Sequence, residues 1–213
     1  MQNQQPYGII NQPNIGIINL HNGIINPKYC VPYNVDLEIV RKVLALADRF
    51  CVTDTNGNVL FKLQATLMTV HDNRVLLDAA GQPLITLRRK LMSAHDRWQV
   101  FHGESTEQKD LIFSVKRSSF FQLKTKLDVF LAKNTKEEVC NFKVIGSWVE
   151  RACVVYAGES QNIVAQMHKH RTVQNTLIGK DHYMVTVYPN VDYAFIAALI
   201  LILDEINQDA RNS

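Results

Sequence analysis

Arg88 and Lys90 stand two residues apart in a run of strand-forming residues, Lys124 and Lys126 repeat that spacing, and Lys116 with Arg117 closes a third run. Side chains two apart on a strand leave from the same face, so Arg88 with Lys90, and Lys124 with Lys126, point outward together. If strand order brings Arg88, Lys90, Lys116, Lys124 and Lys126 side by side, the patch suits an anionic lipid head group. Each cation near an anionic leaflet then contributes about 1 kcal/mol. The competing reading is an ordinary solvated strand face, where lysine also discourages edge-to-edge pairing. Spacing alone does not choose between them.

Other chemistry is thin. The chain contains no Gly-x-Ser-x-Gly elbow, no Gly-rich loop ending in Lys-Ser/Thr, no His-Glu-x-x-His and no dinucleotide fingerprint. A non-enzyme without cofactor or metal is expected. Asp54-Thr55-Asn56-Gly57-Asn58 opens like a calcium loop, but its glycine falls two places early and Ala65 stands where the closing glutamate belongs. A hairpin turn is the better reading. His168 and His170 share a strand face and could hold a metal ion together, although beside Lys169 and Arg171 they read first as surface histidines. Cys153 lies within an apolar strand and reads as a buried thiol rather than a nucleophile. Trp98 and Trp148 read as core or barrel-rim aromatics before ligand platforms.

Composition sets the frame around these residues. Of 213 residues, 46% are apolar and 20% charged, which suits one large folded domain. A chain of this length needs neither disulfide nor metal to hold its core. The 23 basic and 20 acidic residues leave a net charge of +3, too small and too dispersed for a dedicated nucleic-acid domain. Four cysteines, Cys30, Cys51, Cys140 and Cys153, are far apart, so free thiols in a reducing compartment are expected. The opening residues carry no secretory pattern. A cytoplasmic protein, peripheral at a membrane or nuclear, is the expectation.

Residues 1–34 form an Asn/Gln/Gly/Pro-rich arm with three echoes, Gly8-Ile9-Ile10-Asn11, Gly16-Ile17-Ile18-Asn19 and Gly23-Ile24-Ile25-Asn26. Three short copies do not make a solenoid. The arm is a candidate docking segment for a protein partner. From Val35 onward the chain reads as short strands: 35–40, 49–54, 59–64, 74–79, 84–89, 98–102, 111–116, 122–131, 139–145, 152–157, 162–168 and 182–188, with 67–70 as a further candidate. Asn56-Gly57 and Ala80-Gly81 sit between runs as hairpin signals. In the run 122–131, Leu123, Thr125, Leu127, Val129 and Leu131 share an inner face, leaving Gln122, Lys124, Lys126 and Asp128 to solvent.

The C-terminus breaks the pattern. Tyr193–Leu203 is an unbroken run of eleven apolar residues, with Asp192 as N-cap before it and Asp204-Glu205 after it. Its rise of about 16 Å is too short to span a bilayer. A helix apolar on every side must be enclosed by protein, and here the enclosure must be sheet. The expected fold is mainly β: an antiparallel closed barrel of about twelve strands around a central helix at about 191–206, spanning 35–207 and followed by a polar tail at 208–213.

Longer stretches carry a family likeness. Leu87-Arg88-Arg89-Lys90, then His95-Asp96-Arg97-Trp98-Gln99-Val100-Phe101 and Gly103, resemble the signature of the plant LURP-one-related proteins. So do Lys124–Leu131, Gly146-Ser147-Trp148, Val154–Ser160 and Val187–Ile196, within a likeness running from about Asn26 to Asn207. That family is similar to the tubby C-terminal domain and the phospholipid scramblases, which implies a twelve-stranded barrel threaded by a hydrophobic helix. The resemblance also implies phosphoinositide binding and a role as membrane-tethered regulator of transcription, with links to plant defence. The alternative is a protein-interaction scaffold without lipid binding.

Overall fold

Each strand hydrogen-bonds to the next one in the chain, as sequential antiparallel runs commonly do. The computed structural model describes residues 22–41, 48–65, 73–90, 97–118, 125–147, 150, 152–168 and 182–212. The strands are β1 (Val35–Arg41), β2 (Asp48–Thr53), β3 (Val59–Ala65), β4 (Asn73–Asp78), β5 (Pro83–Lys90), β6 (Arg97–His102), β7 (Leu111–Arg117), β8 (Thr125–Leu131), β9 (Phe142–Ser147), β10 (Ala152–Ala157), β11 (Ile163–His168) and β12 (His182–Val187). One helix follows, α1 (Tyr193–Asn212). Strand β1 pairs antiparallel with both β2 and β12, so the sheet closes on itself as a twelve-stranded barrel. Closure leaves no free sheet edge.

Inside the barrel the side chains are dry. Leu37, Phe50, Phe61, Ile85, Val100 and Phe113 have no exposed surface, and from Ala194 to Leu203 every helix residue is buried. Phe195 meets Phe113 edge-on at 5.1 Å and Phe142 at 4.8 Å between ring centroids. No described helix is long and apolar enough to cross a membrane.

Strand β8 follows the expected faces, with Leu127 and Val129 buried inward while Lys126 and Asp128 sit half-buried outside. Two expectations need correction. Strand β9 begins at Phe142 rather than 139, because Asn134 and Asn141 knit the preceding loop. The Asn134 Nδ2 donates to Val139 O and Asn141 Oδ1 at 2.8 Å each, and Leu131 N donates to Asn141 Oδ1 at 3.0 Å. Val139 is left exposed. The helix also runs past 206 to Asn212, because Asp204 and Glu205 find partners inside the barrel. Tyr183 Oη donates to Asp204 Oδ1 at 2.9 Å, and Arg74 grips Glu205 at 3.2 and 3.4 Å. The further strand at 67–70 lies outside the described residues.

The N-terminal end of the helix is tied by one carboxylate. Asp192 Oδ1 accepts from Ala194 N and Phe195 N at 3.0 and 3.1 Å, the N-cap that the sequence predicts. Its other oxygen, Oδ2, accepts from the backbone N–H of Ile24, Ile25 and Asn26 at 3.0, 2.7 and 3.0 Å. The third Gly-Ile-Ile-Asn copy is thereby strapped across the barrel mouth, with Ile25 in the core.

Candidate functional site

Antiparallel register decides which outward cations become neighbours. Residues directly opposite each other on paired strands share a face, with Cβ atoms about 5 Å apart. Lys90 lies opposite Arg97, Arg97 opposite Lys116, Lys116 opposite Asp128, and Asp128 opposite Lys143. These pairings draw one row across the outer face of β5, β6, β7, β8 and β9. Arg88 sits on the same face opposite Gln99, and Lys126 opposite Ile145. Of the residues expected to converge, Arg88, Lys90, Lys116 and Lys126 share this wall. Lys124 lies outside the described residues. Arg117 points the other way, since it pairs with the fully buried Leu127.

Three cations in a row repel one another unless something offsets them. The loop between β8 and β9 supplies the offset. Glu137 folds back over β6 and β7, takes both guanidinium nitrogens of Arg97 at 2.6 Å, and accepts from Ser114 Oγ at 3.4 Å. It adopts φ of +53°, a left-handed conformation that costs a non-glycine residue about 1 kcal/mol. The bidentate pair holds it there. Arg97 hydrogen bonding keeps the Glu137 carboxyl below its ordinary pKa, and Glu137 in turn raises that of Arg97.

The remaining cations divide into held and free. Arg88 donates to Gln99 Oε1 at 2.9 Å and Thr106 O at 3.2 Å and lies over the Phe101 ring at 4.7 Å. Its head is fixed, and the buried Phe101 beneath it explains why. Lys143 pairs with Glu159; burial is the largest influence and works against its charge, but the Glu159 hydrogen bond and the neighbouring Cys140, Glu159 and Asp128 groups together outweigh it and raise its pKa. Lys90, Lys116 and Lys126 form no ion pair within 4.0 Å among the described residues. Among the described residues that register and ion pairs place on this wall, the six cations Arg88, Lys90, Arg97, Lys116, Lys126 and Lys143 stand against the three carboxylates Asp128, Glu137 and Glu159.

Apolar surface adjoins the row. Ile145, 38% exposed, and Ile163, 41% exposed, flank a groove of about 440 Å³ that Lys143, Tyr156 and Glu159 also line. Free ammonium groups beside exposed isoleucines suit a surface that is anionic at its face and apolar beneath it.

The other candidates resolve into structure. Asp54 accepts from Asn56 N and Asn58 N at 2.9 and 2.8 Å, closing a hairpin turn; the Asn58 side chain leads the contacts that lower its pKa. Cys153 is buried against the helix, and burial pushes its thiol up to about 12. Cys140 reaches about 12 through burial and its contact with Glu159. Neither offers a thiolate nucleophile. Trp98 is a core residue, 1% exposed, while Trp148 and His170 lie outside the described residues. No group of three or more metal-ligating side chains occurs among the described residues. Arg97, Glu137 and Lys143 join the wall without any pattern in the sequence that singles them out as a group. The local signal for the first of them is Arg97 standing next to Trp98 at the start of a strand, a cation alternating with an inward aromatic.

A family model described as LURP-one-related matches residues 35–204. Protein LURP-one-related 15 of Arabidopsis thaliana is 60% identical over 189 residues, which covers 88% of this chain and 87% of that protein. Protein LURP1 of the same plant is 52% identical over 186 residues, covering 87% and 90%. An X-ray structure of a protein from Arabidopsis thaliana superposes with a TM-score of 0.69 at 52% identity, covering 86% of this chain and 98% of that one.

Proposed function

The chain belongs to the LURP-one-related family, and from that premise we propose that it is a non-enzymatic module that binds anionic phospholipid head groups on the outer wall of β5 to β9. Phosphoinositides, with several phosphates on one head group, suit a cluster of cations better than a single charge does. The observation that carries this reading is the row in which Lys90 and Lys116 flank the Glu137-held Arg97, with Lys126 beside exposed Ile145. Binding of this kind is reversible and weakens with salt. It suits a cytoplasmic or nuclear protein recruited to a membrane as a tethered regulator, in transcription or defence signalling as the tubby resemblance implies. A scaffold working through the arm is the second reading, and the Asp192 strap favours it only so far as residues beyond 23–26 remain for a partner.

Vesicle co-sedimentation tests the proposal. Wild type should be recovered with phosphatidylcholine vesicles containing phosphoinositide and not with phosphatidylcholine alone. Lys90→Gln, Lys116→Gln and Lys126→Gln together should weaken that binding roughly 100-fold, at about 1 kcal/mol per cation. Equal recovery with both vesicle types would overturn it.

A further inference from the structure

The Asp192 strap is built so that each residue of its tetrapeptide has a separate task. Gly23 takes φ of +65°, and a Cβ there would sit 2.5 Å from the Asn26 carbonyl carbon and 2.6 Å from Pro27 N. Only glycine fits. Ile24, Ile25 and Asn26 offer three successive backbone N–H groups to one carboxylate oxygen. Ile25 fills the barrel mouth, Ile24 packs beside it, and Asn26 Oδ1 accepts from Lys28 N at 3.0 Å to turn the chain. Glycine for the turn, two isoleucines for the mouth and asparagine for the exit are thus the requirements of one binding site. Residues 8–11 and 16–19 repeat the four residue types in order; the asparagine's exit bond can recur at 16–19, where His21 offers an N–H, but not at 8–11, where Pro13 has none.

We propose that the Asp192 clasp is a recognition site for Gly-Ile-Ile-Asn loops, and that Gly8–Asn11 and Gly16–Asn19 are two further ligands for it within the same chain. The arm then has three registers on one site. The third copy holds the site at rest because only Pro27-Lys28-Tyr29 follows it, setting Tyr29 against Phe61 and Tyr193 at 5.3 and 5.1 Å. Seating the second copy lengthens the connection to β1 from residues 27–34 to residues 20–34. Doubling a loop costs only about threefold in the equilibrium constant. Exchange lifts Tyr29 from its aromatic seat while the backbone amides at Asp192 are replaced in kind, so the helix stays tied as the arm shifts. The tether favours the chain's own copies over those of another molecule through effective concentration.

Full-length variants test this as a mutant cycle. Gly8→Val with Gly16→Val should leave the wild-type Tm within about 1 °C, because the third copy occupies the Asp192 site. The same pair added to Gly23→Val should lower Tm by about 4 °C or more beyond Gly23→Val alone. Hydrogen exchange of Gly23→Val should show amide protection of about tenfold or more arising at 16–19 or 8–11. A pair silent in both backgrounds, with residues 1–26 unprotected in Gly23→Val, would overturn the proposal. So would a Gly23→Val chain that fails to fold, since spare copies should rescue it. Protection that grows with protein concentration would assign the loop to a second molecule and overturn the single-chain registers.

Discussion

The inner and outer faces of β5 to β9 come from the same residues in alternation, yet they answer to different rules. Inward, Ile85, Leu87, Val100, Phe113, Val129 and Phe142 pack on the helix, and each position needs only to be apolar and of suitable size. Outward, Lys90, Arg97, Lys116, Asp128 and Lys143 have meaning only as a row, and the row depends on which strands are neighbours and in what register. The inner face therefore sets stability. On the proposed reading the outer face sets what the molecule binds, and substitutions should separate the two.

The largest effect belongs inside. Leu199→Asp places a charge in the middle of the enclosed helix, where Leu199 is 1% exposed. The expected loss exceeds about 5 kcal/mol, comparable to the whole stability of a domain. Circular dichroism and thermal unfolding should find no cooperative native state; a soluble chain with native-like melting would break the enclosure. Next comes Arg74→Met, which removes the Arg74 side of the ion pair with buried Glu205. A loss of about 3 to 5 kcal/mol in urea unfolding is expected, partly recovered by adding Glu205→Gln.

Smaller effects lie at the surface. Glu137→Gln should cost about 1 kcal/mol at neutral pH, since the Arg97 pair is only partly shielded from water. Folding lowers the Glu137 pKa, so its contribution is complete above the ordinary value of 4.5 and is lost as pH falls through that value towards the lower folded one. The Tm difference between wild type and Glu137→Gln should accordingly close in acid; a constant difference would mean the pair is not its source. Smallest of all, Lys90→Gln, Lys116→Gln and Lys126→Gln should together change stability by about 0.5 kcal/mol or less.

How far each face is legible in the sequence follows from the range of the interactions that build it. Period-two alternation in 122–131 and the Asn56-Gly57 turn are local signals, and the barrel's inner face follows from such signals. The all-apolar run Tyr193–Leu203 requires enclosure whatever encloses it. Outward convergence is not local: Lys90 and Lys116 become parts of one row only through Arg97 on the strand between them, and Glu137 reaches that row from a loop 40 residues beyond Arg97. Asp204 and Glu205 read as the end of a helix because Arg74, 131 residues from Glu205, is invisible to any window around them. Asp192 was legible as an N-cap through its neighbours. Its hold on Ile25, 167 residues away, was not.

If Lys90, Lys116 and Lys126 bind anionic lipid without contributing to the fold, one paired measurement shows it. Wild type and the Lys90→Gln, Lys116→Gln, Lys126→Gln chain are compared for affinity to phosphoinositide-containing vesicles, with Tm recorded on the same samples. Affinity should fall roughly 100-fold at an unchanged Tm. Equal affinity in two equally stable proteins would contradict it.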